Sequence, residues 1–423
     1  MTIALTQGVT TLRNWLIAVN HPWRLPLGLW LGSRLLILLA IFIITPLISP
    51  ELAQGWDTFT ANDGQWYLRI ATEGYTSDPD GALRSPAFFP LFPGLIGLLS
   101  LLQIPPVLGG LLINNLAFFG AVLLLHRWLR QRYTLAIAHW TIAVLCLHPG
   151  SLFGTVLYSE GSFIFLSVLL LTRFEAHQLG WMTIAGMLVT ALRPPGIAFI
   201  PALLLQAWRE RRSWLTYGAI LLLGGGLAGY GLYCWWQWGD PLTFSQSQAH
   251  WGRDVGSIAV WWQALQITLW GQTNHAAGAW VRWDHPLAVL AVTLVSLLVW
   301  SQRQRLGPTT PYWTFFLATA AWLVGDYGGV RLVSIFGGLG LLWYCRTQLS
   351  GAMILYGYCG LALLIVSGND ISAERLTYGI VSLTIAAGAA LDRHPRLGYG
   401  LLPLLGIMLL TLAIQCSQGV VWV

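Results

Sequence analysis

Long apolar stretches recur from residue 25 nearly to the C-terminus, and polar residues gather between them instead of alternating within them. A lipid-spanning barrel needs strict alternation, which these continuous runs lack. Helices are the other structure that satisfies every backbone group in lipid. The pattern predicts helices over residues 25–48, 107–125, 134–150, 160–173, 179–192, 195–208, 214–236, 286–301, 311–325, 330–345, 350–367, 376–391 and 397–415. The expected fold class is thus an all-α polytopic membrane protein with about 13 transmembrane helices, forming one domain over residues 1–423. Two connections are long, residues 49–106 and 239–285. Within the first, Pro93–Gln103 is apolar but too short to span, and Pro105-Pro106 follow it, so it reads as an interfacial or re-entrant helix.

Composition agrees with this pattern. Hydrophobic residues make up 56% and charged residues only 9%, against roughly 25% charged in a soluble domain. The net charge of +6 does not indicate nucleic acid, because the basic residues are scattered among apolar runs and form no tract that could follow a phosphate backbone. All 22 basic residues are Arg, which rules out a phosphate loop built on Lys. The apolar run after Arg13 and Arg24 exceeds a signal-peptide core and is expected to stay as the first membrane helix. Cys146, Cys234, Cys345, Cys359 and Cys416 lie in or beside apolar runs and read as packing residues. Gly224-Gly225-Gly226, inside a membrane helix, reads as a site of close helix packing.

Charge then sets orientation. Arg127/Arg130/Arg132, Arg209/Arg211/Arg212, Arg303/Arg305 and Arg393/Arg396 all fall on one side if the N-terminus is cytoplasmic. About 14 Arg lie inside and about 7 outside, with Arg34 within the first helix, as the positive-inside rule requires. Both long loops then face away from the cytoplasm, and most of the acidic residues lie on that side.

The first of these loops carries Asn62-Asp63-Gly64-Gln65-Trp66-Tyr67-Leu68-Arg69-Ile70-Ala71-Thr72-Glu73-Gly74-Tyr75, followed by Ala87-Phe88-Phe89-Pro90-Leu91-Phe92-Pro93. A carboxylate such as Asp63 can take a proton from a hydroxyl, Trp66 and Tyr67 can stack on a sugar face, and the Pro-rich apolar segment can guide a lipid tail. On residue types alone, a solvated loop with interfacial aromatics also accounts for the pattern. No metal is expected: His250, His275 and His285, with Asp254 and Asp284, share the second loop but lack ligand spacing. No cofactor motif occurs either.

The run NDGQWYLRIATEGY followed by AFFPLFP resembles the first-loop signature of a mannosyltransferase family. That family includes the second mannosyltransferase of glycosylphosphatidylinositol anchor synthesis and its bacterial relatives, within the C-type glycosyltransferases (GT-C). Further segments are similar in the same order. His148–Leu171 resembles a block ending in Tyr-Ser-Glu, with His148 and Gly150 in place of Asn and Ala. Ala191–Pro201 resembles an Arg-x-Asn-Gly block with Pro195 in place of Asn. Gly239–Arg253 resembles the second-loop block, and Ala373–Ile380 a late Arg-Tyr block with Leu376 in place of an aromatic.

The resemblance implies a GT-C-like fold with a large first extracytoplasmic loop. It also implies transfer of a sugar, with mannose favoured, from a polyprenyl-phosphate donor to an acceptor that is a glycan, lipid or protein. The catalytic base matches Asp63, with Asp57 as the rival in the same loop. The leaving phosphate needs guanidinium partners. Arg193 and Arg375, both in resembling blocks, come first, with Arg253 and Arg331 behind them; an ordinary snorkelling Arg is the competing reading at each. Tyr158 and Glu160 of the Tyr-Ser-Glu block are candidate substrate contacts, and a carboxylate starting a helix is also favoured by the helix dipole alone. A transporter or flippase for a lipid-linked substrate is the alternative, and the one mid-membrane charge and absence of a visible repeat weigh against it. The expected location is a bacterial plasma membrane, with membrane lipid as the surrounding partner.

In a variant without the five native cysteines, Ser77→Cys is expected to react with a membrane-impermeant maleimide in intact cells, and Gln304→Cys only after the membrane is opened. The reverse pattern places Asp63 in the cytosol.

Overall fold

The computed structural model describes residues 23–78, 81–251, 259–368 and 372–420, without the side chains of His250, Asp326 and Tyr327. Among the described residues the backbone forms helices and turns and no strand. Six helical stretches are long and apolar enough to cross a membrane, including Arg24–Ile48, Pro106–Arg132 and Pro395–Ser417. The helix Asp284–Leu306 has no buried residue among those described, although Leu287, Leu290, Leu294 and Leu298 project from it. Such a surface is intolerable in water and ordinary in lipid. The chain is an all-α, membrane-embedded protein.

The elements that position the site are these. Helix α1 (Arg24–Ile48) leads into residues 49–62. Two short helices follow, α2 (Asp63–Glu73) and α3 (Leu91–Leu101), before α4 (Pro106–Arg132). Next come α5 (Leu135–Leu147), α6 (Glu160–Glu175), α7 (Leu179–Leu192), α8 (Phe199–Arg209) and α9 (Trp214–Trp238). The C-terminal half holds α10 (Ala259–Trp270), α11 (Asp284–Leu306), α12 (Thr310–Leu332), α13 (Gly338–Cys345), α14 (Gly351–Ser367), α15 (Ala373–Gly379), α16 (Val381–Arg393) and α17 (Pro395–Ser417). One large core joins α4, α5, α6, α7, α8, α14 and α16.

Local sequence explains the ends. Pro at the first position starts α4, where a missing N–H costs nothing, and Arg130 and Arg132 occupy its last turn, where cations suit the dipole. The Arg127–Arg132 cluster, expected just past the helix, is therefore part of it. Pro194-Pro195 stop α7 and force Arg193 into an extended conformation, φ −155 and ψ 144.

Three expectations change. The second long loop is largely helical, because apolar α10 docks by Trp261, whose indole N–H donates to the Ile365 carbonyl at 3.0 Å. The helices expected at 311–325 and 330–345 have no loop between them; the backbone stays helical through α12 and a wide turn at Val333–Gly337 into α13. The run still leaves and returns to one end of the bundle. Thr310 hydrogen-bonds the Arg303 carbonyl (3.2 Å), and Trp300 and Tyr344 both meet His394. Midway, Gly328 packs on Thr268 and Arg331 pairs with Glu374 at 3.1 Å. Small residues and a wide turn are recognised ways for a helix to bend. The helix expected at 376–391 is broken at Ile380 (ψ 83) into α15 and α16.

Arg34 is buried within α1 and donates to the Ser151 carbonyl (2.9 Å) and hydroxyl (2.7 Å), with Phe118 under its guanidinium. Of the three glycines of α9, a side chain on Gly226 would meet the backbone of Met187 and Ala191, one on Gly225 only the Met187 side chain, and one on Gly224 only Ile200. Val substitutions are therefore expected to destabilise in the order Gly226, Gly225, Gly224. The first should cost about 1–3 kcal/mol, read as the thermal midpoint of the detergent-purified protein.

Candidate functional site

Four charged side chains from distant parts of the chain meet at one end of the bundle. Asp63 opens α2, Glu160 opens α6, Arg193 follows α7, and Arg375 lies in α15. Arg375 Nη1 donates to Asp63 Oδ2 at 2.5 Å, and its Nε lies 3.4 Å from Glu160 Oε1. Arg193 Nη1 pairs with the same Glu160 oxygen. The side chains of Glu160 and Arg375 are 1% and 5% exposed, whereas those of Arg193 and Asp63 are 12% and 21% exposed. The latter pair is thus the one a ligand reaches most easily.

Asp63, Glu160 and Arg193 sit at helix ends, and Arg375 lies in the short α15 just before the break at Ile380. Asn62 takes a positive φ of 53, a conformation Asn tolerates better than most residues, and turns the chain into α2. The Asp63 N–H then donates to the Tyr158 hydroxyl at 3.3 Å. The segment before Glu160 is pinned from α4: Asn114 Nδ2 donates to the carbonyls of Phe153 (2.7 Å) and Val156 (2.8 Å), and its Oδ1 accepts from the Gly161 N–H (2.8 Å). Asn115 holds the Thr155 carbonyl at 2.8 Å. Gly161 is required there, since a Cβ would strike Asn114. Tyr378 fixes α15: its hydroxyl donates to the Leu145 carbonyl at 2.7 Å, and its ring stacks on His148 at 4.9 Å.

A cavity of about 390 Å³ opens beside the cluster. Asp63, Tyr67, Arg193 and Arg375 line its polar end, and Phe88, Phe89, Phe244, Leu363 and Leu376 supply apolar wall. The Pro-rich segment is held by Tyr75, whose hydroxyl donates to the Phe88 carbonyl (2.8 Å), and by Tyr230, which donates to the Pro86 carbonyl (2.8 Å). Burial opposes the charge on Arg375, but Asp63 and Glu160 outweigh it and hold the guanidinium above the ordinary Arg range. Burial also pushes the Tyr67 phenol up to about 12, partly offset by Arg193, and raises Tyr158 well above the usual tyrosine value. Both phenols are therefore neutral donors or acceptors at working pH.

The remaining candidates fall in different places. Trp66 is not among the residues lining this cavity; its half-buried ring lies parallel to Phe88 at 5.7 Å and edge-on to Trp251 at 5.2 Å, so it backs the wall. Tyr67 lines the cavity, but its ring is wedged perpendicular to Phe88 (5.3 Å) and Phe92 (4.9 Å) and its hydroxyl meets Ser159 Oγ at 3.0 Å, so stacking on a sugar face is not its geometry. Tyr158 is buried beneath Arg375, 5.2 Å from the guanidinium, and does not reach the cavity. Asp57 is exposed on the turn Gly55–Thr60, away from the cavity wall. Arg331 pairs with Glu374 instead of joining the cluster. Arg253 lies outside the described residues.

Sequence reasoning missed Asn114-Asn115, whose signal was two amides inside an otherwise apolar run. It also missed Trp251 on the cavity wall. In comparisons with known proteins, no family model and no curated protein matches the chain.

Chemically, the arrangement offers a reachable carboxylate as proton acceptor, two guanidiniums for an anion, and an apolar wall for a hydrocarbon. Because Arg375 touches both carboxylates, Arg375→Met takes the guanidinium from Asp63 and leaves Glu160 with Arg193 alone, and is expected to cost about 3–5 kcal/mol. Arg193→Met leaves Glu160 still paired and should cost less. Thermal midpoints in detergent rank the two, and equal values would mean that Arg375 does not bridge the pair in solution.

Proposed function

We propose that the protein is a glycosyltransferase that moves a sugar, with mannose favoured, from a polyprenyl-phosphate donor to an acceptor hydroxyl on the extracytoplasmic face of a bacterial plasma membrane. In this reading about thirteen membrane crossings place the N-terminus in the cytoplasm and residues 49–106 and 239–285 on the opposite side. The observation that carries the reading is Asp63 at a cavity that Arg193 and Arg375 also line and whose remaining wall is mostly apolar, with Ser245, Gln248 and Ser367 the polar exceptions. Transfer from a lipid phosphate calls for that combination: a base, charge-matched donors for the phosphate, and a surface for the prenyl chain. The resemblance of Asn62–Tyr75 and the later blocks to the mannosyltransferase family supports the same chemistry.

The step is a direct displacement. Asp63 takes the acceptor hydroxyl proton as that oxygen bonds to the anomeric carbon. The bond from that carbon to the phosphate oxygen breaks, and the phosphate leaves with the electron pair. A positioned carboxylate base contributes roughly 100- to 10,000-fold in rate. Charge grows on the leaving phosphate, and Arg193 and Arg375 meet it with charge-assisted hydrogen bonds. As Arg375 turns toward the phosphate, its grip on Asp63 loosens, which frees the carboxylate at the moment it is needed.

Asp63→Asn is expected to abolish transfer of label from polyprenyl-phosphate mannose in membranes while leaving folded yield unchanged; full transfer by that variant removes Asp63 as base. Arg193→Ala is expected to raise the donor KM more than that of the acceptor, and unchanged donor kinetics would take Arg193 out of the site.

A further inference from the structure

Glu160 does not behave as a substrate ligand in this geometry. Its side chain is 1% exposed, and it is not among the residues lining the cavity. One of its oxygens, Oε1, lies within ion-pair distance of both Arg193 and Arg375, and both carboxylate oxygens are buried without a geometrically regular hydrogen bond among the described residues. A carboxylate shared in this way fixes two long, otherwise mobile guanidinium side chains relative to each other. Among the described residues Asp63 pairs with Arg375 and not with Arg193, so of the two carboxylates it is Glu160 that ties both cations together.

We infer that Glu160 is a positioning residue, a buried counter-ion shared by two guanidiniums that aims them at the donor phosphate and touches neither sugar nor acceptor. This rests on the donor reading above. The charge count carries a further consequence. Asp63 and Glu160 supply two negative charges, and Arg193 and Arg375 two positive ones, so the empty cluster is neutral. Glu160 therefore weakens ground-state attraction for an anion while it improves the aim of the donors that act in the transition state. That is the direction in which binding energy raises turnover instead of affinity.

The test uses the detergent-purified full chain, the isosteric Glu160→Gln, Arg193→Ala and the double variant. Two readouts are taken: binding of radiolabelled polyprenyl phosphate to the purified protein, and consumption of polyprenyl-phosphate mannose by the same variants in membranes that supply the acceptor hydroxyl. Glu160→Gln leaves the cluster with a net positive charge, so it is expected to bind polyprenyl phosphate at least as tightly as the unsubstituted protein. Its donor consumption should nevertheless fall about 100-fold or more. In the Arg193→Ala background the same substitution should cost at least about tenfold less in consumption than it does in the unsubstituted protein, because only Arg375 is left for Glu160 to aim. Weaker binding of polyprenyl phosphate by Glu160→Gln, unchanged turnover, or multiplicative losses in the double variant each overturn the inference. If Glu160→Gln does not fold, Glu160→Asp takes its place in the cycle: retained binding with lost turnover supports positioning, and parallel loss of both overturns it. A wild-type protein that binds no polyprenyl phosphate refutes the parent reading, and the inference with it.

Discussion

The site end of this protein depends on one arrangement, the ion cluster in which Arg375 joins Asp63 to Glu160 and Glu160 in turn holds Arg193. Removing charges from water costs several kcal/mol per ion, and only close opposite charges offset that. A single buried Glu160, or a single buried Arg375, would be untenable; together they hold four separate chain segments at one point. The cluster is consequently both the structural knot of this end of the bundle and its chemical endowment.

Nearly every charge in the knot comes from a place where a helix starts, stops or breaks. Irregular backbone at membrane depth survives only where protein covers it or a cavity takes it up. Here the covering is explicit: Asn114 and Asn115 satisfy the carbonyls ahead of Glu160, Arg34 and Ser151 close the segment beneath, and Tyr378 ties α15 to the end of α5. These polar groups do not line the cavity beside the cluster, yet without them the backbone around Glu160 and Arg375 would carry unsatisfied groups.

The apolar part of the site has its own logic. Phe88, Trp66 and Trp251 join the first long connection to the second, and Phe89, Tyr230 and Phe244 extend the aromatic wall. A wall of this kind keeps the local dielectric low, which strengthens each interaction of Asp63 and the guanidiniums with a charged ligand. Trp66, which stands out along the chain as an aromatic in a charged loop, backs this wall through Phe88 and Trp251.

The sequence by itself determined the membrane-embedded, all-helical character, because apolar runs without alternation leave the backbone no other way to satisfy itself in lipid. It also marked Asp63, Glu160, Arg193 and Arg375 as residues to watch, since charges are costly in such a chain and stand out against it. What it could not supply was their meeting. Asp63 and Arg375 are far apart in sequence, and only the packing of α2, α6, α7 and α15 decides that they touch, that Glu160 lies behind two arginines, and that Asp57 and Arg331 are left out. Local pattern reports which face of a segment is apolar; which segments become neighbours is settled by how side-chain volumes and buried charges fit across the whole bundle.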